Sequence, residues 1–180
     1  MIEVSFKEDL RDLEKHLNRY QRQQLPRATN WALNETGKKV QSQIIKEVAQ
    51  QAGVTQKALK PPRFFASAKS KIQTLAFVIS IRFGAIPLRE FNAVQNKQGV
   101  RAKAWGQRKT YKGAFIVDSI GKNVFKRRTK ARLPIDKLHG PRPVNYATDP
   151  GTLRRAQETV AAFFPDRLAM GIKRYTRRRG

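Results

Sequence analysis

The sequence contains no cysteine, few acidic residues and no long run of apolar residues. Without cysteine, the chain can form neither a disulfide framework nor a metal site built on thiolates. The longest apolar runs, such as residues 75–79, are about five residues long, whereas a membrane-spanning helix needs roughly 20. The sequence therefore predicts no transmembrane helix and no cysteine-dependent structure.

The shortage of acids leaves a large positive charge. There are 13 Asp and Glu against 38 Lys and Arg, which gives a net charge of +25 over 180 residues. Acids and bases balance in residues 1–25, so the whole excess lies in residues 26–180. A surface of this kind favours a nucleic acid or an acidic protein as partner. Composition leaves DNA, RNA and an acidic protein surface open.

Residue types that build enzyme sites are sparse. The two histidines, His16 and His139, are far apart in the sequence and make a poor zinc site. The acids show no paired spacing of the kind a two-metal nuclease needs, although a fold can bring distant acids together. Neither a GxxxxGK[ST] loop nor a GxGxxG motif is present. We therefore predict a protein that is not an enzyme, with no catalytic residue, no metal and no cofactor.

The N-terminal third has helical periodicity. Apolar residues at three- and four-residue steps predict a helix over residues 5–24, which Pro26 should interrupt or restart. A second apolar stripe predicts a long helix over residues 27–51, and Gly53 is a suitable stop. A C-terminal helix is predicted over about residues 152–175.

The middle of the chain has the alternation typical of strands. The clearest case is Leu75–Phe83, where apolar and smaller or polar residues alternate. Prolines predict an extended loop over residues 132–149, and Pro165 should kink or split the C-terminal helix. Further candidate strands are residues 100–105, 114–117 and 123–128. The predicted fold is α+β in a single domain over residues 1–180, with long N-terminal helices packed on an antiparallel β-sheet and a C-terminal helix.

One short pattern suggests DNA recognition. Residues 47–59 resemble the helix-turn-helix core of bacterial repressors, with Gly53 in the turn and Thr55 as a polar cap. The second helix of that motif needs roughly two or more turns to lie in the major groove. Here it could extend only from Gln56 to about Lys60, because two prolines follow. A long helix with a glycine stop explains the pattern as well, and a helix-turn-helix regulator remains the alternative hypothesis.

The densest charge cluster is a candidate contact site for a polyanion or an acidic partner. We call it the basic cluster; its members are Lys126, Arg127, Arg128, Lys130 and Arg132. On a strand, Lys126, Arg128 and Lys130 would point one way and Arg127 the other, so one row could meet a phosphate backbone. A solvated hairpin is the alternative.

Two further features could contribute to binding. The C-terminal arginines at residues 177–179 lie in a basic tail, residues 176–180, predicted to be disordered, and could anchor phosphate without sequence preference. Three aromatic residues, Trp31, Trp105 and Tyr111, could stack on bases, although burial at the edge of a core is the more common outcome.

A longer segment carries a family resemblance. Residues 124–141 contain a phenylalanine, the basic cluster, then Arg-Leu-Pro-Ile, a leucine and Gly-Pro. This order resembles the hallmark segment of the prophage minor tail protein Z family, the tail completion proteins of long-tailed phages. The resemblance extends over roughly residues 26–175 and departs at Arg142-Pro143, where a small polar residue is expected. Weaker similarities occur at residues 32–48, 86–88, 113–116 and 164–168.

The resemblance implies a structural virion protein. Such proteins complete the head-proximal end of the tail, join it to the head, assemble as rings around the tail axis and help place the genome end for ejection. The implied partners are tail tube or terminator proteins, head-connector proteins, other copies of the chain and DNA without sequence preference, with no membrane. The implied location is the virion, after assembly in the host cytoplasm. An RNA-binding protein of the ribosomal kind is a third hypothesis, supported only by charge.

The proline-rich segment over residues 132–145 is a candidate docking arm for a neighbouring protein in such a ring. A well-packed surface loop is an equally good interpretation. The residues predicted to form this docking loop are Leu133, Pro134, Ile135, Gly140 and Pro141.

Overall fold

The computed structural model describes residues 19–60 and 63–176, with side chains from residue 23 onward. In chain order it has a long helix, a middle region of short strands in antiparallel pairs, and a second long helix. The predicted α+β class is therefore confirmed. Residues 5–18 of the helix predicted over 5–24, His16, and residues 177–180 of the basic tail lie outside the described residues. Thr176, the first residue predicted to be in the disordered tail, is instead the last residue of the C-terminal helix, because the helical ladder continues to it.

The first helix, α1, is Arg19–Ala52 and contains Pro26. The predicted interruption at Pro26 is wrong. A proline within a helix removes one backbone donor and its ring crowds the carbonyl four residues back, which weakens the helix locally but leaves the rest of its hydrogen bonds in place. Ala28 and Ala32 are fully buried in the turns that follow, and their packing holds the helix together past the proline.

Gly53 ends α1 as predicted. Its φ of +71° places it in the left-handed region, where glycine carries no steric penalty. The Gly53 amide donates to the Gln50 carbonyl over 3.3 Å, and the Val54 amide donates to the Ala49 carbonyl over 3.0 Å. These two bonds form a Schellman motif, which satisfies carbonyls that the helix end would otherwise leave unpaired. The next helix, α2, is only Gln56–Leu59.

The strands of the middle region are three to five residues long, and they form one two-stranded and two three-stranded sheets. β1 pairs with β2, β4 lies between β3 and β5, and β7 lies between β6 and β8. Short 3₁₀ helices occupy Leu88–Glu90, Ala104–Gly106 and Asp118–Ile120. The strands are β1 Phe65–Ala68, β2 Val78–Ile81, β3 Val94–Asn96, β4 Gly99–Ala102, β5 Lys109–Lys112, β6 Ala114–Val117, β7 Asn123–Arg127 and β8 Ile135–Lys137.

Several strand predictions need correction. The strand predicted over Leu75–Phe83 shortens to β2, because Leu75 has a φ of +41° and its amide donates to the Lys71 carbonyl in a turn. The strand predicted over 100–105 stops at Ala102, before a 3₁₀ turn. By contrast, β6 has the predicted bounds, and β7 ends one residue earlier than predicted.

The proline-rich segment is more regular than predicted. Residues 132–149 contain β8 and a short helix, α3, Pro143–Ala147. Pro143 occupies the first turn of α3, where a missing backbone donor does not matter. The C-terminal helix, α4, is Pro150–Thr176 and includes Pro165, so the predicted split there is wrong.

The described chain clusters into two compact units. Unit 1 takes its residues from the part up to Lys39, from Ala68–Val78 and from Glu158 onward, and unit 2 comprises Val40–Ser67 and Ile79–Gln157. The single domain predicted over residues 1–180 stays a prediction.

Unit 1 is built from helix contacts and one short loop. The Asn34 side chain donates to the Ser70 carbonyl over 3.1 Å and accepts from the Ser70 amide over 2.9 Å. The Lys39 ammonium lies 5.4 Å from the Phe163 ring centre. A Cβ at Gly171 would lie 3.0 Å from the Ala28 carbonyl oxygen, so the helices approach closely there.

Unit 2 contains an extensive apolar core that spans helix and sheet residues. Helix α1 contributes a stripe at three- and four-residue spacing, as its sequence predicts. The 3₁₀ helix at Leu88–Glu90 and strands β4, β6 and β7 add the opposing side chains. Its fully buried large members include Phe65, Phe91, Leu59, Ile86, Leu88, Val48, Val100 and Val124.

A polar contact joins the two long helices within unit 2. Both Arg155 Nε and one of its terminal nitrogens lie 2.9 Å from Glu47 Oε2, and the Gln43 amide donates to Glu47 Oε1 over 3.1 Å. Partial burial alone would raise the pKa of Glu47. The hydrogen bonds from Arg155 and Gln43 and the charge of Arg155 outweigh it and lower the pKa below its ordinary value.

We expect Glu47→Gln to lower the free energy of unfolding by about 1 kcal/mol at pH 7, because it removes a charged acceptor that is mostly shielded from water. Since the folded-state pKa is depressed, this contribution is complete above the unfolded-state pKa of about 4.3 and is lost as the pH falls through the folded-state value. Urea unfolding of both proteins from pH 7 to pH 3 measures the difference. Glu35→Gln, in the exposed pair with Lys38, is the control and should change little. A difference in the free energy of unfolding between the wild type and Glu47→Gln that grows as the pH falls would contradict the lowered pKa of Glu47.

Candidate functional site

The basic cluster lies at the end of β7 and in the loop that leads to β8. Lys126 and Arg127 are the last two residues of the strand, whereas Arg128, Lys130 and Arg132 belong to the loop. All five side chains are exposed. The alternation predicted for a strand therefore holds only as far as Arg127, and the other cations project from a turn.

Two members of the cluster have contacts that fix their position. The Arg127 guanidinium lies 4.8 Å from the centre of the Phe115 ring on the neighbouring strand β6, where stacking is favourable. The Arg128 guanidinium donates to Asp136 Oδ2 on β8 over 2.7 Å. The register places Asp136 directly opposite Lys126. These contacts cannot be predicted from the sequence, because β8 follows a proline and its pattern predicts a loop.

Asp136 reduces the local positive charge of the cluster. The hydrogen bond from Arg128, with its charge, lowers the pKa of Asp136, and the carboxylate in turn raises the pKa of Arg128. Both side chains are exposed to water, so the ion pair contributes little to the free energy of unfolding. Its main effect is to hold Arg128 against β8 and to neutralise its charge.

Removing this carboxylate should therefore strengthen anion binding. We expect Asp136→Asn to raise the affinity for duplex DNA several-fold at 100 mM salt, because Arg128 becomes available and a repulsive charge is lost. Filter binding or fluorescence anisotropy measures the change. Asp118→Asn makes the same change in net charge at another exposed site and should have a smaller effect. Equal gains in the two variants would show that Asp136 has no special role.

The docking-loop residues are divided between surface and interior. Leu133 is 67% exposed and Pro134 is exposed too, whereas Gly140 and Pro141 are buried. Gly140 donates to the Ile86 carbonyl over 2.7 Å, and a side chain at Gly140 would overlap the Phe91 ring. Ile135 is half-buried at the start of β8. The tip around Leu133 can reach a neighbour, while the Gly140-Pro141 end is part of the packed structure.

The helix-turn-helix pattern forms a helix end and one short turn. Helix α2 stops at Leu59, and both Ala58 and Leu59 are buried in unit 2. A four-residue helix that buries two of its residues cannot hold base-reading side chains in a major groove. The alternative considered from the sequence, a long helix with a glycine stop, therefore describes this segment, and a short packed helix follows it.

The three aromatic residues differ in their exposure. Trp31 is half-buried and contacts Arg174, whose guanidinium lies 5.5 Å from the ring, and Tyr111 packs against the core of unit 2. Burial raises the pKa of Tyr111. Trp105, however, is 56% exposed, so the burial expected from the sequence does not apply to it.

Residues 19–60 and 63–176 contain neither a candidate metal site nor a candidate membrane span. No group of three or more His, Asp or Glu residues among them could hold a metal ion. No helix in this part of the chain is long and apolar enough to cross a membrane.

Comparison with known proteins gives one match. The family described as prophage minor tail protein Z (GPZ) matches residues 10–179, which is nearly the whole chain. No curated protein and no solved structure matches the chain. The matched range contains both long helices, all the strands and the basic cluster.

Proposed function

Since the chain belongs to the prophage minor tail protein Z family, we propose that it is a structural phage protein that completes the head-proximal end of the tail and joins it to the head. The family match over residues 10–179 is the observation that carries this proposal. Its place is the virion, and its partners are the tail tube or terminator and the head connector. We propose no catalytic role.

The surface of unit 2 supports a role in contacting a polyanion. The basic cluster is exposed on one sheet and its connecting loop, and Asp136 is the one carboxylate that pairs with it in the described part of the chain. The same cations suit either the phosphate backbone of DNA in the tail channel or acidic surfaces of neighbouring proteins. Because such contacts are individually weak, a ring of copies would multiply them through avidity.

The exposed tip of the docking loop supports contact with a neighbour. Leu133 is a large apolar side chain in water, next to cations that would surround such a contact. An apolar residue of this kind fits a shallow pocket on an adjacent protein, and its charged surroundings fit an acidic rim. The proposed docking element is therefore the tip of this loop rather than its Gly140-Pro141 end.

A deletion of the gene tests the role in assembly. In a phage that lacks the chain, we expect filled heads and free tails in the lysate, seen by negative-stain electron microscopy. Addition of the purified protein to the lysate should restore joined, infectious particles. Joined particles of normal infectivity without the chain would overturn the proposal.

Light scattering across a salt series tests the ring. We expect a discrete oligomer, formed alone or with the tail tube protein, that persists at high salt, together with DNA binding that is lost as salt rises and shows no sequence preference. A monomer at both low and high salt that prefers one duplex would contradict the ring and favour a sequence-specific DNA-binding regulator instead.

A further inference from the structure

Trp105 is presented to solvent in an unusual way. It lies in the turn that joins β4 to β5, in the 3₁₀ segment Ala104–Gly106, and its backbone has φ +54° and ψ +33°. Bulky residues rarely adopt this left-handed conformation. Trp105 is 56% exposed, so burial of its side chain does not offset that strain. Strain of this kind that packing does not explain points to a functional constraint.

The turn is held firmly beneath the exposed ring. Ala104, the residue before Trp105, is 3% exposed and belongs to the core of unit 2. The Lys103 amide donates to the carbonyl of the fully buried Phe91 over 2.9 Å, and the Gln107 amide donates to the Ala104 carbonyl over 3.2 Å. The backbone on both sides of Trp105 is thus fixed, and little conformational entropy would be lost when the ring binds a partner.

The hairpin that carries Trp105 is basic throughout. From residue 91 to residue 117 the sequence contains no acid, and the hairpin at residues 99–112 has five exposed cations. These cations are Arg101, Lys103, Arg108, Lys109 and Lys112. None of them forms an ion pair within residues 19–60 and 63–176.

The register of the hairpin places polar groups on its outer face. Val100 pairs with Tyr111, and these two face the core. Arg101 pairs with Thr110, one position along, and therefore lies on the solvent side, as does Lys112. The outer face thus offers cations and a hydroxyl on the same hairpin as the exposed Trp105.

We propose that Trp105 and the cations of this hairpin form a binding site for nucleic acid with accessible bases, either a single strand or an open duplex end. Indole stacks on the face of any base, and cations on the same hairpin hold the phosphate backbone. A duplex interior exposes only base edges, so the ring needs a strand whose bases are free. This site shares no residue with the basic cluster and does not rest on the tail role.

An acidic protein is the less suitable occupant. The buried centre of a protein interface is largely apolar and depleted of charged residues. Trp105 is the one large apolar side chain exposed within residues 99–112, so a protein partner would find little apolar area around the ring from which to form such a centre. On a nucleic acid, the cations remain near phosphate and water while the ring stacks.

The test compares an oligonucleotide that has bases with one that lacks them. Fluorescence anisotropy measures binding of a labelled 12-mer of thymidine and of the same backbone made abasic. The wild type should bind the base-bearing strand about 10-fold tighter. Trp105→Ala should remove this preference, whereas Trp105→Phe should retain part of it. Phe83→Ala, which removes another exposed aromatic residue outside the hairpin, should leave the preference unchanged.

A second readout excludes an effect on folding. In a Trp31→Phe background, Trp105 is the remaining tryptophan, and its fluorescence should be quenched by the thymidine strand but not by heparin. An equal preference for bases in the wild type and Trp105→Ala would overturn the proposal, as would quenching by heparin to the same degree. Loss of head–tail joining in Trp105→Ala with DNA binding unchanged would overturn it in favour of a protein contact.

Discussion

Replacing Gly99 by alanine is expected to lower the free energy of unfolding by about 3 kcal/mol, a large effect for one methyl group. Gly99 has a φ of +146°, a conformation that residues with a side chain rarely adopt. An added Cβ would also overlap the Tyr111 carbonyl oxygen on β5 and lie 3.1 Å from the Gly113 amide nitrogen. Both neighbours are backbone atoms, so neither can rotate away.

Urea unfolding followed by circular dichroism measures this effect. Gly113→Ala is the matched control, because Gly113 also has a positive φ, +72°, but a Cβ there would meet no atom within 4 Å. We expect this control to cost about 1 kcal/mol, since only the backbone penalty applies. Similar losses in the two variants would mean that β4 and β5 are not in the register described here.

Neutralising the basic cluster is expected to weaken binding to random duplex DNA by about 100-fold or more at 150 mM salt. The variant replaces all five cations by glutamine, and each lost phosphate contact reduces the salt dependence, d log K/d log[salt], by about 0.9 in magnitude. Fluorescence anisotropy at several salt concentrations gives both quantities. The urea midpoint checks that loss of the Arg127–Phe115 contact has not unfolded the sheet.

A control variant that loses the same charge elsewhere shows whether DNA binding depends on the cluster itself. The control replaces five exposed lysines outside both the cluster and the β4–β5 hairpin: Lys46, Lys57, Lys60, Lys69 and Lys71. Exchange of these five for glutamine should reduce affinity far less, because they are scattered over the surface. Equal losses in the two variants would mean that the net charge of +25, rather than the cluster, governs binding.

The sequence predicted those elements in which local pattern and tertiary packing agree. The stripe on α1 and its glycine stop, the strand β6 and nearly all of β7 appear where the apolar pattern indicates. Gly113 and Gly121 have positive φ values at the ends of strands, as turn glycines do. In these places hydrophobic periodicity and turn chemistry point to one structure.

Other elements depend on contacts that are distant in sequence. β3 and β5 are short and polar, and β8 follows a proline, so no periodicity marks them as strands. Each exists because a neighbouring strand or segment pairs with it. The prolines at 26 and 165 were expected to interrupt helices, but each weakens a long helix only locally and leaves the rest of its hydrogen bonds in place.

The candidate site was predictable in composition but not in geometry. The five cations follow one another closely in the sequence, which identified the cluster. Its contacts with Phe115 and Asp136 depend on the pairing of β7 with both neighbours, and the sequence carries no local indication of that pairing. The exposure of Trp105 could likewise not be predicted from the sequence, because an aromatic residue beside a strand is usually buried.

The most direct test of the proposed role is the position of the chain in the virion. Purified particles labelled with a gold-conjugated antibody against the chain can be examined by electron microscopy. The proposal predicts label at the junction of head and tail in joined particles, and at one end of tails that lack a head. Label at the opposite tip or along the tail, or absence of the chain from purified particles, would contradict it.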